Sequence, residues 1–592
     1  MQSVATALVH IQGWRLGGSW RDLSQGRYFA ADLSVGIACF GALREVSQVL
    51  DDFSSWSGTS GAGMAGLTLN ERAHVWRLAV GKAGRVASAR VLGSPLLRWR
   101  YGAALAEEIV LVPQELRSTD PSFADELAAG QMGLAGQLVS VGKGTPFDRV
   151  QANAKWSREL HGFSWLRHLR AAGTRETGAT SRALVAAWIG RGQHMDSMVF
   201  EPEVCARRMI SWLANADMLL EEVDQATFDR TMQSLGDQLI GLSSAWRIAP
   251  PGYPRLLALT GLVYGDLCIA GHVRHLAQAE RLLGAELARQ ILADGGHVSR
   301  NSAVLVEIML DLLPLRQCYT TAKRELPASI EATMARIMPM LRYMRLGDGS
   351  LARFNGVGAS PVVELAAILA YDWGQPVGLT AAPDTRYARL ERRDCVVIAD
   401  AGGVPSLVQG AQAMAGCLSF EMSSGATAIV VNGGLRGAAE PKYSAGARAT
   451  ASHNTLTLGD QSSARRLVHP MLERLAGGVP LMLEGPVTSS FAAGPDGDQL
   501  DLAHNGYVRE HGLVHRRRLM LKKDGTRLEG ADSLGGVRRV VRLSRDVPFA
   551  VHFHLAPGLR AALAPGGGPS AAPLGRWGAV ICQASMPPAS GL

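Results

Sequence analysis

From about residue 67 to about residue 375, apolar residues recur at i, i+3, i+4 and i+7, with Trp and Leu on one face. That is the period of amphipathic helices. The spacing predicts helices over Trp156–Ala172, Thr180–Gly190, Val204–Leu220, Arg255–Ala270, Leu276–Leu292, Ser302–Leu313 and Ile330–Arg345. Short turns rich in Gly, Pro and Asn separate them. Consecutive helices with one apolar face each build a solenoid or a closed helical toroid. No fixed-period repeat consensus is present, which weighs against the solenoid.

After about residue 385 the period shortens. Cys395–Asp400, Leu418–Met422, Ala428–Asn432, Thr455–Leu458, His515–Lys522 and Pro548–Leu555 are short β-branched or alternating runs. Asp524-Gly525 between two such runs is a hairpin signal. Regularly spaced strands of this kind predict an antiparallel β-sandwich. The chain therefore divides into a poorly ordered extension over 1–66, a helical domain over 67–380 and an antiparallel β domain over 381–592. The fold class is multidomain α+β. The extension ends in a Gly/Ser-rich stretch of linker composition. Its Gly61-Ala-Gly63-Met-Ala-Gly66 matches GxGxxG only formally, since no strand precedes it and no βαβ unit follows.

Composition narrows the choice of partner. The 592 residues carry 60 Lys+Arg against 52 Asp+Glu, a net charge of +8. A mild basic excess suits an anionic partner such as nucleic acid, lipid headgroups or an acidic polysaccharide. No window approaches the ~20 apolar residues of a membrane-spanning helix. The first twenty residues lack a basic n-region followed by an unbroken apolar run, so read as written the chain has no secretory signal. Seven scattered cysteines without a CxxC pair argue against a zinc ribbon or a disulfide framework.

HExxH, the P-loop and GxSxG are all absent, and three other segments stand out. Asp294-Gly-Gly-His297-Val-Ser-Arg300-Asn301 joins two strong helices, and a helix N-terminus there can receive an anionic group. It reads equally as a polar turn capped by Asn301. Arg345-Leu-Gly-Asp348-Gly-Ser350-Leu-Ala-Arg353-Phe-Asn355 is a Gly-rich loop following a helix that bears Tyr343. Tyr443 through Arg448 to Ser452-His453-Asn454-Thr455 presents an imidazole where a strand begins, although a lone His is more often structural than catalytic.

Together these segments resemble the heparinase II/III-like superfamily, over approximately residues 70 to 590. The most specific matches are ASHNTLTLGDQSS, the LSFEMSSG and IVVNGG runs before it, and DGGHVSRN. The resemblance implies an incomplete (α/α) toroid packed on antiparallel sheets, with lyase chemistry on uronate-containing polysaccharides. In that β-elimination the uronate carboxylate is neutralised, a base takes the C5 proton and an acid protonates the leaving oxygen.

Carried over residue by residue, the resemblance makes His297, His453 and Tyr343 the catalytic candidates. Arg300, Asn301, Arg353, Asn355, Arg448 and Tyr443 become the substrate-binding candidates. The match is uneven. Gly296 stands where the family has Asn, and Phe354 and Asn355 stand where a phenol is expected. Gln412, Met414 and Asn432 replace the two histidines and the aspartate of a structural zinc set, of which His453 alone remains. No metal or other cofactor is therefore expected. The expected partner is an acidic polysaccharide rather than nucleic acid, and Arg465-Arg466 and Arg516-Arg517-Arg518 suit it. The resemblance places the chain in the cell envelope or periplasm, whereas the missing signal places it in the cytoplasm. Two other readings stay open: a non-catalytic acidic-polysaccharide-binding protein, and a helical scaffold for protein partners, which would show an apolar cleft.

Overall fold

The computed structural model describes residues 106–572 apart from 143, 149–152, 192–196, 372–377, 436–440, 469, 537–546 and 564–568, with several helical residues between 72 and 84. The N-terminal extension and its GxGxxG string lie outside the described residues.

The helical part comprises α1 (Ala154–Gly162), α2 (Arg175–Arg191), α3 (Pro202–Ala214), α4 (Gln225–Ala245), α5 (Tyr253–Cys268), α6 (Val273–Gln290), α7 (Ser302–Thr321), α8 (Ala328–Tyr343) and α9 (Val362–Ala370). The run 156–172, expected as one helix, divides. Phe163 adopts φ 58° and ends α1, and a short helix over Leu166–Ala172 follows. Residues 204–220 divide likewise at Asn215.

Packing runs in two interleaved series. α3 packs on α5, α5 on α7 and α7 on α9, while α4 lies against α3 and α5, α6 against α5 and α8, and α8 against α6 and α7. α5 is the centre, with every residue from Leu256 to Cys268 buried. A helix apolar on all sides belongs inside a core. Its Gly261 permits close approach to α3, since a Cβ there would stand 2.7 Å from the Ala206 Cβ.

The β part holds two four-stranded antiparallel sheets. The first is β1 (Tyr387–Arg392), β2 (Cys395–Asp400), β3 (Phe420–Ser424) and β4 (Thr427–Val430) in sequence order. Between the sheets in sequence lies β5 (Leu456–Leu458). The second sheet is β6 (Val487–Gly494), β7 (Gly497–His504), β8 (Leu513–Lys522) and β9 (Leu528–Gly536), and β10 (Phe549–Val551) pairs with β5. Leu390, Val397 and Phe420 of the first sheet share one core with Val487, Leu500 and Leu519 of the second. The Asp524-Gly525 turn joins β8 to β9 as expected, with Gly525 at φ 69°.

The two parts meet along β3 and the loop after α8. Alternate side chains of β3 accept backbone N–H groups from that loop: Glu421 from Arg353 at 3.1 Å and Ser423 from Gly347 at 2.8 Å. A strand whose side chains face one way every second residue is well suited to such docking.

Candidate functional site

The segment 294–301 turns tightly between α6 and α7. Gly296 sits so close to the β part that a Cβ would meet the Thr385 Cγ2 at 1.9 Å. The Asp294 carboxylate accepts from the Thr385 N–H at 2.7 Å and the Thr385 hydroxyl at 2.8 Å, which ties the turn to the start of β1. His297 is buried. Its Nε2 lies 2.9 Å from Gln290 Oε1, an acceptor, so Nε2 carries the proton. Nδ1 then accepts from the Ser299 N–H at 3.1 Å and from its hydroxyl at 2.6 Å. Burial lowers the His297 pKa to about 4, so the ring is neutral at physiological pH.

Arg300 is inward-facing and crosses to the β part. Its guanidinium donates to the carbonyls of Thr385 (2.7 Å), Gly403 and Arg386 and to the Asp400 carboxylate at 2.6 Å. Burial pushes the Asp400 carboxyl up and Arg300 pulls it partway back. Asn301 caps α7 through the Ala303 N–H at 3.0 Å, while its Nδ2 donates to Gln412 Oε1 at 3.0 Å. The polar-turn reading of this segment thus describes the geometry, with cross-domain bonds added.

Tyr343 is buried and donates to the Tyr387 carbonyl at 3.1 Å, and burial raises its pKa to about 12. The phenol that sequence reasoning missed is Tyr387. Its hydroxyl donates to the Arg300 carbonyl and accepts from Asn355 Nδ2 at 2.9 Å, and its ring stacks on Phe354. The Arg300 guanidinium lies 4.6 Å from the centre of that ring. Asn355 Oδ1 accepts the Met414 N–H at 3.4 Å.

In the β part His453 is fully buried, and burial lowers its pKa to about 4. Nδ1 donates to the Ala449 carbonyl at 2.8 Å, leaving Nε2 against the Met414 thioether at 3.3 Å. Asn432 Oδ1 accepts from the Asn454 N–H and Nδ2 at 3.0 and 3.1 Å. Arg448 is buried and donates to the carbonyls of Ala413, Gly410 and Val479, so its cation fastens a loop. Tyr443 is 69% exposed on a short helix, Pro441–Ala447. Arg353 is half-buried, and among the described residues its guanidinium has no hydrogen-bond partner.

A chain of contacts therefore links Arg300, Tyr387, Asn355, Met414 and His453 along one seam between the helical and β parts. His297 adjoins it through the same turn. The two histidine motifs, one in each part, thus lie along one boundary, where both imidazoles are buried and each donates its proton to an acceptor inside the protein. Gln290, Tyr387 and Asp400 are the partners that sequence reasoning missed. No local motif marks them, since each lies in an ordinary helix, strand or loop pattern. The arginine run 516–518 is also corrected in part. Arg517 is buried and forms a two-point bond with Asp532, whose oxygens lie 2.8 Å from Nε and Nη2.

The residues at the family's zinc positions do not fit that metal. An amide, a thioether, a second amide and one imidazole are present, where structural zinc takes thiolate, imidazole and carboxylate donors. Among the described residues no group of three His, Cys, Asp or Glu converges on one point.

Residues 374–575 match the family model described as heparinase II/III-like, C-terminal. Its C-terminal part is a heparinase II/III-like domain. FtsZ-localized protein C of Caulobacter vibrioides (strain NA1000 / CB15N) is 28% identical over 501 residues, covering 83% of this chain and 85% of the relative. Among solved structures, a mutant heparan sulfate lyase HepC from Pedobacter heparinus superposes with a TM-score of 0.51 at 16% identity, over 83% of this chain and 80% of that one. Heparinase III gives a TM-score of 0.52 at 12% identity, over 78% of each chain. The heparinase-like architecture of a helical toroid followed by antiparallel sheets therefore holds for this chain, with a polysaccharide-lyase-like fold.

Proposed function

We propose that this chain uses the lyase fold for binding rather than for elimination, and acts at the bacterial division apparatus. One observation carries the first half. The imidazoles and phenol that the family resemblance makes catalytic, and the Arg300 guanidinium that it assigns to substrate, are all tied into hydrogen bonds inside the protein. The unprotonated nitrogen of each ring, Nδ1 of His297 and Nε2 of His453, is turned on Ser299 and on Met414 inside the protein, so neither imidazole is placed to take a sugar C5 proton. The FtsZ-localized relative supports the second half. The test pairs two measurements in the native host and in vitro. A fluorescent fusion is expected at the division site and is expected to disperse when FtsZ is depleted. Purified protein is expected to release no unsaturated uronate from a panel of acidic polysaccharides. Steady product formation would overturn the non-eliminating reading, and FtsZ-independent localisation would overturn the division reading.

A second reading, elimination at a displaced centre, rests on Tyr253. Its half-buried phenol accepts from Arg207 Nη2 at 2.6 Å and donates to Asp311 Oδ2 at 2.8 Å, beside the exposed Glu307. A phenol beside a fixed cation has the composition of a proton-transfer pair. Any uronate product that disappears in Tyr253→Phe would move the assignment to this centre.

A further inference from the structure

We infer that the positions at which the family resemblance places zinc have become, in this chain, a metal-independent fastener between the helical and β parts. Three observations build it. Gln412 accepts from Asn301 Nδ2 at 3.0 Å, a bond that spans 111 residues of sequence and ties the N-cap of α7 to the β part. The Met414 N–H donates to Asn355 Oδ1, which ties the same loop to the segment after α8. The Met414 side chain packs on the buried His453 ring, so thioether and imidazole fill space that ligands would share around an ion.

The chemistry of the replacements sets the consequence. A zinc site holds its ligands by charge and releases them when a chelator removes the metal. Amide-to-amide hydrogen bonds need no ion, and a chelator cannot reach them. Each fixes geometry by its direction. The loop carrying Gln412 and Met414 is also held from its other side by the three carbonyl bonds of Arg448. The fastener is therefore complete without any group beyond this chain.

The experiment uses the full-length protein, expressed in zinc-supplemented medium. Wild type is expected to carry far less than one zinc per chain by elemental analysis and to keep the same Tm after exhaustive chelation. Gln412→Leu is expected to lower Tm by about 1 °C, the shift that follows from losing one hydrogen bond in a chain of 592 residues. The triple variant Q412H/M414H/N432D restores imidazole and carboxylate donors around His453. It is expected to bind one zinc and to gain a Tm that falls on chelation. One equivalent of zinc in wild type with a chelator-sensitive Tm would overturn the inference. So would an unchanged Tm in Gln412→Leu. A triple variant that folds yet takes up no zinc would overturn the claim that these three positions made the difference. The wild-type measurements decide the matter if the triple variant does not fold.

Discussion

The turn 294–301 and the segment 449–455 look alike in sequence, each a histidine close to Ser and Asn ahead of a regular element. They are fastened differently. The first crosses between the two parts of the molecule and buries a full ion pair, Arg300 with Asp400. The second stays within the β part, where His453, Thr450 and Asn454 make neutral bonds. The cation that reaches it, Arg517, donates to the Asn454 carbonyl while paired with Asp532 outside the segment. The difference shows that a polar histidine segment reveals neither its partner nor its charge. Those depend on what the remote chain brings up to it.

The largest expected effect breaks the charged side of this comparison. Asp400→Ala leaves the Arg300 cation buried and unpaired, so it is expected to cost about 3–5 kcal/mol of unfolding free energy. Denaturant titration would check this. A loss under 1 kcal/mol would show that the ion pair does not fasten the two parts. The neutral side responds less. His453→Ala removes a buried ring and leaves the Ala449 carbonyl without its donor, for an expected cost of about 1–3 kcal/mol. Equal costs for Asp400→Ala and His453→Ala would erase the distinction between the two segments.

Acidification sharpens the same contrast. His297 and His453 have folded pKa values of about 4, below the ordinary value of 6.5. Their stabilising contribution is present above pH 6.5 and is lost as pH falls from 6.5 toward 4. Glu421 runs in the opposite direction. Burial raises its pKa to about 7, so the folded state favours its protonated form, and stability falls as pH rises from 4.5 to 7. Glu421→Gln mimics the protonated acid. Its stability penalty relative to wild type is therefore expected to be smaller at pH 8 than at pH 5, and an equal penalty at both would contradict the assignment. The smallest effect belongs to Tyr443→Ala. An exposed side chain away from the seam is expected to change stability by no more than about 0.5 kcal/mol.

The helix-to-strand change of period near residue 385 was legible because it follows from side-chain burial alone. The long helices of the toroid and the β8–β9 hairpin declared themselves for the same reason. The strand β6 did not. Its Thr-Ser-Ser-Phe-Ala-Ala-Gly run is exposed on both faces, so it carries no apolar alternation to read. The candidate residues were legible as a group, because six of them do gather at one boundary. Their roles were not. Whether His297 faces substrate or Gln290 depends on a side chain seven positions away, and whether Arg300 is free depends on Asp400, a hundred positions away. Phe354, which stands where the resemblance expects a phenol, is buried against Tyr387, so Phe354→Tyr would have to place that hydroxyl within packed space.

Gly296 gives the molecule a history that cannot easily be reversed. Any side chain at that position collides with the Thr385 methyl group, and Thr385 in turn supplies two of the bonds that hold Asp294. The family's asparagine cannot return there by a single substitution. Thr385 would have to shrink first, at a loss of stability, before the asparagine could bring any benefit. The identities of Gly296 and Thr385 are therefore coupled, and neither position can be enlarged without regard to the other.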